Sequence, residues 1–507
     1  MGTALQMMGC WWSGPDSSRP QPRLANGDIS EIRNKMRDTL RLGKLEFISP
    51  DFETFIHRLA ASPKFNTRNF VNIHSTPSIP AIVASAISVL QNQNLTYPEV
   101  SPAYTDKRGI EKQCIGFLAE IVGFNSGNGY GHLTSGGTTA NLTAIAAARD
   151  ITLNKASERV RIPHTNASQD GLASIRAACK LVTTAAAHYS IRKAGWIAGL
   201  GSENTIVIST KRIPDEIEKY YAGQNEPFSL QPDTEELVDQ LKGKAESGIP
   251  IVAAIATIGT TATGSIEPPS VFFEAAREAG QSDLFVHVDA ATGGLALLDP
   301  DVRAEAKDVG KANTITIDPH KWGYVPYPCG GIIFRQEQDY SILKTTNESA
   351  NLQDLVPTLE GSRSSLGAAG FYANILALGK DGYRQIIQEC RKRAKNFSAL
   401  ISDDSPPLFI VLHKVQLNTV AFTIFKEDAA QSKINDWNEN LFNRINDLGS
   451  FMIGFSRRLN DVQVKAQNGE RADLSHLRVV FTNPLTTDKD VAALVDLLKS
   501  EYKRIVR

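Results

Sequence analysis

Neither sign of charge is in excess: 54 Lys and Arg stand against 55 Asp and Glu, and no long run of one sign occurs. A dedicated nucleic-acid binder would show a basic footprint, so that class is set aside. Cysteine is sparse. Cys10, Cys114, Cys179, Cys329 and Cys390 are scattered without any CxxC spacing. Isolated reduced thiols are therefore expected, rather than a disulfide frame or a metal site. The opening MGTALQMMGCWWSGPDSSRPQPR has no long apolar run and no basic stretch before one, so neither a signal peptide nor a membrane anchor is expected there. Gln6 stands where a myristoylation pattern wants Ser or Thr. No internal repeat and no long low-complexity tract is visible. These absences leave a cytoplasmic protein of enzyme size with no nucleic-acid and no membrane partner.

What is present is the grammar of an α/β enzyme. At 507 residues, with 42% hydrophobic and 21% charged residues, the chain can bury a large core. Residues 1–70 read as a loose arm followed by packing helices. From Gly131, continuous apolar strands (NTIVIST, PIVAAIATIGT, LFVHVDA, TITID) alternate with helical stretches. That pattern implies a mostly parallel sheet covered by helices on both faces, with ligands at the carboxyl ends of its strands. A large domain over 71–380 and a smaller α+β domain over 381–507 follow.

Four strand ends carry chemistry. In HLTSGGTTANL, Gly136 and Gly137 precede an Ala-rich helix, and free N–H groups at a helix start favour a phosphate, although Ser and Thr are also the usual caps. In LFVHVDAATGG, Asp289 ends an apolar strand. A buried carboxylate there must meet a cation or several donors. In TITIDPHKWGYVPYPCGGIIF, Lys321 lies at the edge of the core. Most lysines snorkel to water, but a desolvated amine suits Schiff-base chemistry. An aldehyde cofactor with a phosphate and a basic ring nitrogen would use all three places, and pyridoxal 5'-phosphate is such a cofactor. In TTAAAHYSIRKAG, His188 offers a flat ring able to stack. Tyr189 and Lys193 of the same segment fit YxxxK, but no GxGxxG loop precedes them, so a short-chain dehydrogenase is not supported.

These segments, with YPEVSPAYTDKRGIEKQC, TIGTTATGSIEP and PTLEGSRSS, occur in order and resemble the group II pyridoxal-phosphate amino-acid decarboxylases, a fold-type-I family, most closely its microbial tyrosine decarboxylases. The resemblance spans roughly residues 70–500, and DPHKWGYVPYP is its most specific part. It implies that Lys321 bonds the cofactor, His188 stacks on its ring, Asp289 pairs with the ring nitrogen and Ala291 packs on the other face. Gly137, Thr138 and His320 would hold the phosphate, with Ser362 contributing from a partner chain, and Thr260 would lie beside the cofactor. His74 and Ser75 would help build the substrate pocket across a homodimer. The implied activity is decarboxylation of an aromatic L-amino acid, tyrosine first. Aldehyde-forming decarboxylation, carbon–carbon cleavage and acidic amino-acid decarboxylation are the alternatives on the same scaffold. Many such enzymes place a tyrosine on a mobile loop to protonate the reacting carbon. Here that region holds only Tyr340, so Tyr340, His188 or a partner residue is left as the acid.

Overall fold

Strand β4 (Ile251–Thr257) is buried along its whole length, as its unbroken IVAAIAT requires of a strand covered on both faces. It lies inside a seven-stranded sheet of order β1-β7-β6-β5-β4-β2-β3. The other members are β1 (Tyr130–Thr134), β2 (Lys180–Thr184), β3 (Thr205–Ile208), β5 (Val286–Asp289), β6 (Thr314–Ile317) and β7 (Gly330–Phe334). Pairs β3–β2, β2–β4, β4–β5 and β5–β6 are parallel, whereas β7 runs antiparallel to both β1 and β6. This is the α/β, fold-type-I arrangement expected. The structure is a computed structural model. It describes residues 67–74, 76–96, 101–105, 109–124, 129–160, 179–210, 230–344, 356–427, 429–459, 463–465 and 471–506. The expected N-terminal arm and Ser75 lie outside the described residues.

Helices cover the sheet. Helix α1 (Ile79–Gln91) starts at the Ser78 cap with Pro80 in its first turn, where a missing N–H costs nothing. Helix α2 (Ile110–Val122) turns Cys114, Ile115, Leu118 and Val122 inward and ends at Gly123 in the left-handed conformation. Helix α3 (Gly137–Val160) packs its buried alanines, Ala140, Ala144 and Ala147, close against β7. Helices α4 (Ser190–Ile197), α5 (Thr234–Glu246) and α6 (Pro269–Glu278) follow their strands; the crossovers through α4 and α6 return the chain to a parallel neighbour, and the one through α5 passes over β2 from β3 to β4.

Helix α7 (Leu366–Ile401) is broken at Gly379, whose φ of 58° and ψ of −169° are not helical. Beyond it a four-stranded sheet forms in the order β10-β13-β9-β8, from β8 (Phe409–Val411), β9 (Thr419–Ile424), β10 (Gly454–Ser456) and β13 (His476–Val480). Helices α8 (Gln431–Asp447) and α9 (Asp488–Ile505) cover it, and β11 (Gln463–Lys465) and β12 (Arg471–Asp473) form a separate antiparallel pair. Its core of Phe397, Phe409, Phe422, Phe481 and Leu494 is separate from that of the larger sheet. Residues 70–507 nevertheless cluster as one compact unit. Among the described residues no helix is long and apolar enough to cross a membrane.

Candidate functional site

Neighbouring parallel strands β5 and β6 end at one edge of the sheet, bringing Asp289 and Asp318 out side by side; Asp318 N–H bonds Ala291 O at 3.1 Å. The turn after β6 carries Lys321. It is tight because Gly323 has no side chain: a Cβ there would sit 2.4 Å from Pro319 O. It is also pinned from outside. Asn374 Nδ2 donates to Gly323 O (2.8 Å) and Tyr324 O (3.2 Å), Tyr383 Oη to Gly323 O (2.9 Å), and Ser78 N to Tyr324 O (2.9 Å). These bonds hold Tyr324 at φ 54°, a conformation few non-glycine residues keep without such support.

The Lys321 side chain is only 15% exposed, with Nζ 3.3 Å from Asp318 Oδ2 and donating to Thr292 Oγ1 at 3.4 Å. It does not snorkel. Cys329 N donates to His320 Nδ1 (3.3 Å), so His320 carries its proton on Nε2 and meets the same Asp318 oxygen at 3.3 Å. Burial alone would raise the Asp318 pKa, but Lys321 and His320 outweigh it and hold the carboxyl below its ordinary value. Asp318 Oδ1 is buried without a hydrogen bond among the described residues.

At the other end, Asp289 accepts from Asn141 Nδ2 (2.9 Å, on Oδ2) and from Ala291 N (3.1 Å, on Oδ1). His188 Nδ1 lies 2.8 Å from Ser190 Oγ, and burial lowers the pKa of this ring, with Asp289 and Asp318 opposing and Lys321 reinforcing the shift. Tyr189, two-thirds exposed, stands against it with ring centroids 4.3 Å apart.

Of the residues singled out in the sequence, the structure therefore gathers Lys321, His320, Asp289, His188 and Ala291. Gly137 joins them, since a Cβ on it would lie 2.8 Å from Asp318 Oδ2 and 3.2 Å from Ala291 Cβ; Thr138 follows in the first turn of α3. Thr260 is buried in a hydroxyl cluster with Thr263 and Ser265, and the adjoining Gly259 packs on Thr292 and Gly293. His74 is close enough for Lys321 and His320 to lower its pKa, after burial, and it meets Tyr327 edge-on at 5.2 Å. Tyr327 stacks on His320 at 3.9 Å. Ser362 stands apart within the chain: its hydroxyl accepts from Asn94 Nδ2, while neighbouring Arg363 is clamped by buried Glu111. Tyr340 is buried, with its hydroxyl on His132 Nδ1 (3.2 Å) and its ring against Phe334. That hydroxyl is already committed to the interior.

Several residues of the site escaped the sequence reading. Asp318 sits inside the quoted DPHK, and a carboxylate three residues before a buried lysine was the available signal. Tyr327 lies in the same quoted segment as His320, on which it stacks, and Ser190 lies two residues from His188, but neither takes a role in that reading; Asn141 and Thr292 gave no signal, because their partners Asp289 and Lys321 lie far off in sequence. Glu267 is another. Fully buried, it accepts from Thr257 N (2.7 Å) and from the Thr184 hydroxyl, and burial, aided by nearby Asp289, lifts its pKa to about 7 despite those bonds.

A carboxyl raised from 4.5 to about 7 favours the folded state while protonated. Its contribution is complete below about pH 4.5 and is lost as pH rises through about 7, amounting to about 3 kcal/mol. In Glu267→Gln that titration is absent. The stability of the wild type relative to the variant should thus fall across this window in denaturant titrations. A pH-independent difference would show that Glu267 does not titrate there.

The residues fit pyridoxal phosphate. The glycine cradle and helix start suit a phosphate, Asp289 a protonated ring nitrogen, His188 and small Ala291 the two ring faces, and the Lys321 amine an aldehyde.

Comparison with known proteins gives the same direction. The sequence profile described as the pyridoxal-dependent decarboxylase conserved domain matches residues 51–425. A probable L-tyrosine/L-aspartate decarboxylase of Methanocella arvoryzae is 29% identical over 326 residues, covering 64% of this chain and 72% of its own. An aspartate 1-decarboxylase of Aliivibrio fischeri is 27% identical over 488 residues, 90% of this chain and 84% of its own. The fold matches the crystal structure of Oryza sativa TDC with PLP and tryptamine at a TM-score of 0.76 and 20% identity, covering 100% of this chain and 97% of that one.

Proposed function

The chain belongs to the pyridoxal-dependent decarboxylase family, a pyridoxal-phosphate-dependent amino-acid carboxy-lyase, and on that premise we propose that its substrate is an aromatic L-amino acid, L-tyrosine first. The observation that carries this reading is the wall of rings beside the reactive lysine: His74 against Tyr327, and Tyr327 on His320, the residue next to Lys321.

Bound cofactor supplies an aldehyde for amines and a protonated ring that accepts the electron pair released as carbon dioxide leaves. The chain's residues do the rest. Lys321 would provide the amine that holds the cofactor, with Asp318 and Thr292 orienting its Nζ. Asp289 keeps a proton on the ring nitrogen, because a nearby carboxylate favours the charged form. His188 and Ala291 would flank the ring. Gly137, Thr138 and His320 hold the phosphate, and Ser362 is assigned to the phosphate of a partner subunit.

A homodimer is part of the proposal, supported by the apolar residues that α1 and α7 leave in solvent: Leu90 is 71% and Leu376 70% exposed. The division into a large domain ending near residue 380 is proposed on similar ground, supported by the break at Gly379.

A second reading has its own support. A cleft of about 360 Å³ beside His188 is lined by Tyr189, Phe455, Arg458 and Arg478. Arg478 donates to Thr261 O (2.8 Å) and Val71 O (3.1 Å), but its buried Nε has no hydrogen bond. A guanidinium with a spare N–H suits an acidic side chain such as that of L-aspartate.

The deciding experiment measures product mass and rate with L-tyrosine and with L-aspartate over a series of protein dilutions. Tyramine, with a rate per chain that falls on dilution, is the expected result. β-Alanine would select the acidic reading, an aldehyde from tyrosine would redirect the product, and a dilution-independent rate with a monomeric mass would remove the dimer.

A further inference from the structure

We propose that Asn141 is a positioning residue whose side-chain amide holds His188 as the neutral ring with its proton on Nε2. The proposal deepens the decarboxylase reading and rests on it.

Proton positions follow from the bonding capacity of each group. An ionised carboxylate only accepts, so the Asn141 atom 2.9 Å from Asp289 Oδ2 is the amide nitrogen. The second hydrogen of that nitrogen goes to Ser190 Oγ at 3.0 Å. The amide oxygen is left facing His287 Nε2 at 3.1 Å, which must therefore donate. His287 is fully buried, and burial lowers its pKa to about 4, so the ring is neutral and its Nδ1 accepts from the Thr314 hydroxyl at 2.9 Å. Having accepted from Asn141, Ser190 is free to donate its own hydrogen to His188 Nδ1 at 2.8 Å, and Ser190 backbone N–H points at the same atom from 3.3 Å. Two donors on one ring nitrogen leave no place for a proton there.

The charge of Asp289 thus sets which way the Asn141 amide faces, and the Ser190 backbone N–H aimed at Nδ1 makes His188 the acceptor of the hydroxyl hydrogen that Asn141 leaves free. His188 is left with a single N–H, at Nε2. A neutral imidazole in this state is a hydrogen-bond donor and not an acid, because losing the Nε2 proton would leave an imidazolate. His188 can bind an anionic oxygen of the substrate but does not itself protonate the reacting carbon, and Tyr340 is spoken for by His132. The acid is then another group at the site.

The test uses histidine-selective ¹⁵N labelling of the holoenzyme without substrate, with the His188 signals assigned by their loss in His188→Asn. The wild type should show a pyridine-like Nδ1 and a pyrrole-like Nε2 at neutral pH. In Asn141→Asp the new carboxyl has at most the one proton it shares with Asp289 and none for Ser190; the Ser190 hydroxyl turns toward it, His188 Nδ1 loses one of its two donors, and an Nδ1–H population should appear, with kcat lower by about ten- to a hundredfold. Ser190→Ala, a milder change in the fold, removes one of the two donors and should admit a minor Nδ1–H population. A protonated Nδ1 in the wild type, or His188 signals unmoved in both variants, would overturn the proposal. Failure of the decarboxylase reading would appear separately, as unchanged amino acids in the product assay of the wild type.

Discussion

Lys321→Ala is expected to lower the decarboxylation rate by at least about a thousandfold, since in the proposed mechanism one side chain supplies both the covalent attachment and an amine at the reacting centre. The variant should also take up no cofactor mass after borohydride reduction, where the wild type gains one cofactor per chain. A second consequence follows from the pairing. Asp318 lies 3.3 Å from Lys321 and is otherwise balanced only by His320. Its folded pKa is below the ordinary value, so it contributes stability above the unfolded carboxylate pKa and loses it as pH falls through the folded one. Without the lysine that contribution shrinks, and the variant's stability should respond less to acid than the wild type's. Full activity in Lys321→Ala, or an unchanged mass gain, would remove Lys321 from the centre of the mechanism.

Asp289→Asn should cost about two to three orders of magnitude in kcat, the scale at which losing one preorganised charge is felt in a buried site. Substitution by asparagine keeps an acceptor for Ala291 N, so the turn after β5 should survive and the loss should be electrostatic. The carboxylate favours a protonated ring nitrogen and the amide does not. The visible absorbance of the bound cofactor should thus be nearly independent of pH in the wild type but titrate in the variant. Identical pH profiles would mean that the ring nitrogen is held by some other group. The same substitution removes the charge that orients Asn141, so His188 should lose its single tautomer as well.

Much of this arrangement was legible from one dimension because it lies within short segments. The segments that form β4, β5 and β6 read as strands from their continuous apolar or β-branched residues, which the structure buries throughout, and chain reversal at a carboxyl edge follows from parallel pairing alone. His320 and Lys321 are adjacent, and Asp289 and Ala291 share one turn, so their meeting needed no long-range knowledge. The antiparallel course of β7 required the structure, because GGIIF reads alike in either direction.

The sequence by itself determined which elements form, which lysine is proposed as the reactive amine and which cofactor the chain serves, since period, turn chemistry and adjacent functional groups are local properties of a chain. Tertiary structure decided the proton positions. Asn141 comes from α3, His188 and Ser190 from the turn into α4, and His287 and Asp289 from β5, and only their packing fixes who donates to whom. It likewise turned Tyr340 inward and set Asp318 against Lys321. Hydrogen-bond direction depends on distances of a few tenths of an ångström between segments far apart in sequence, and no periodicity encodes those.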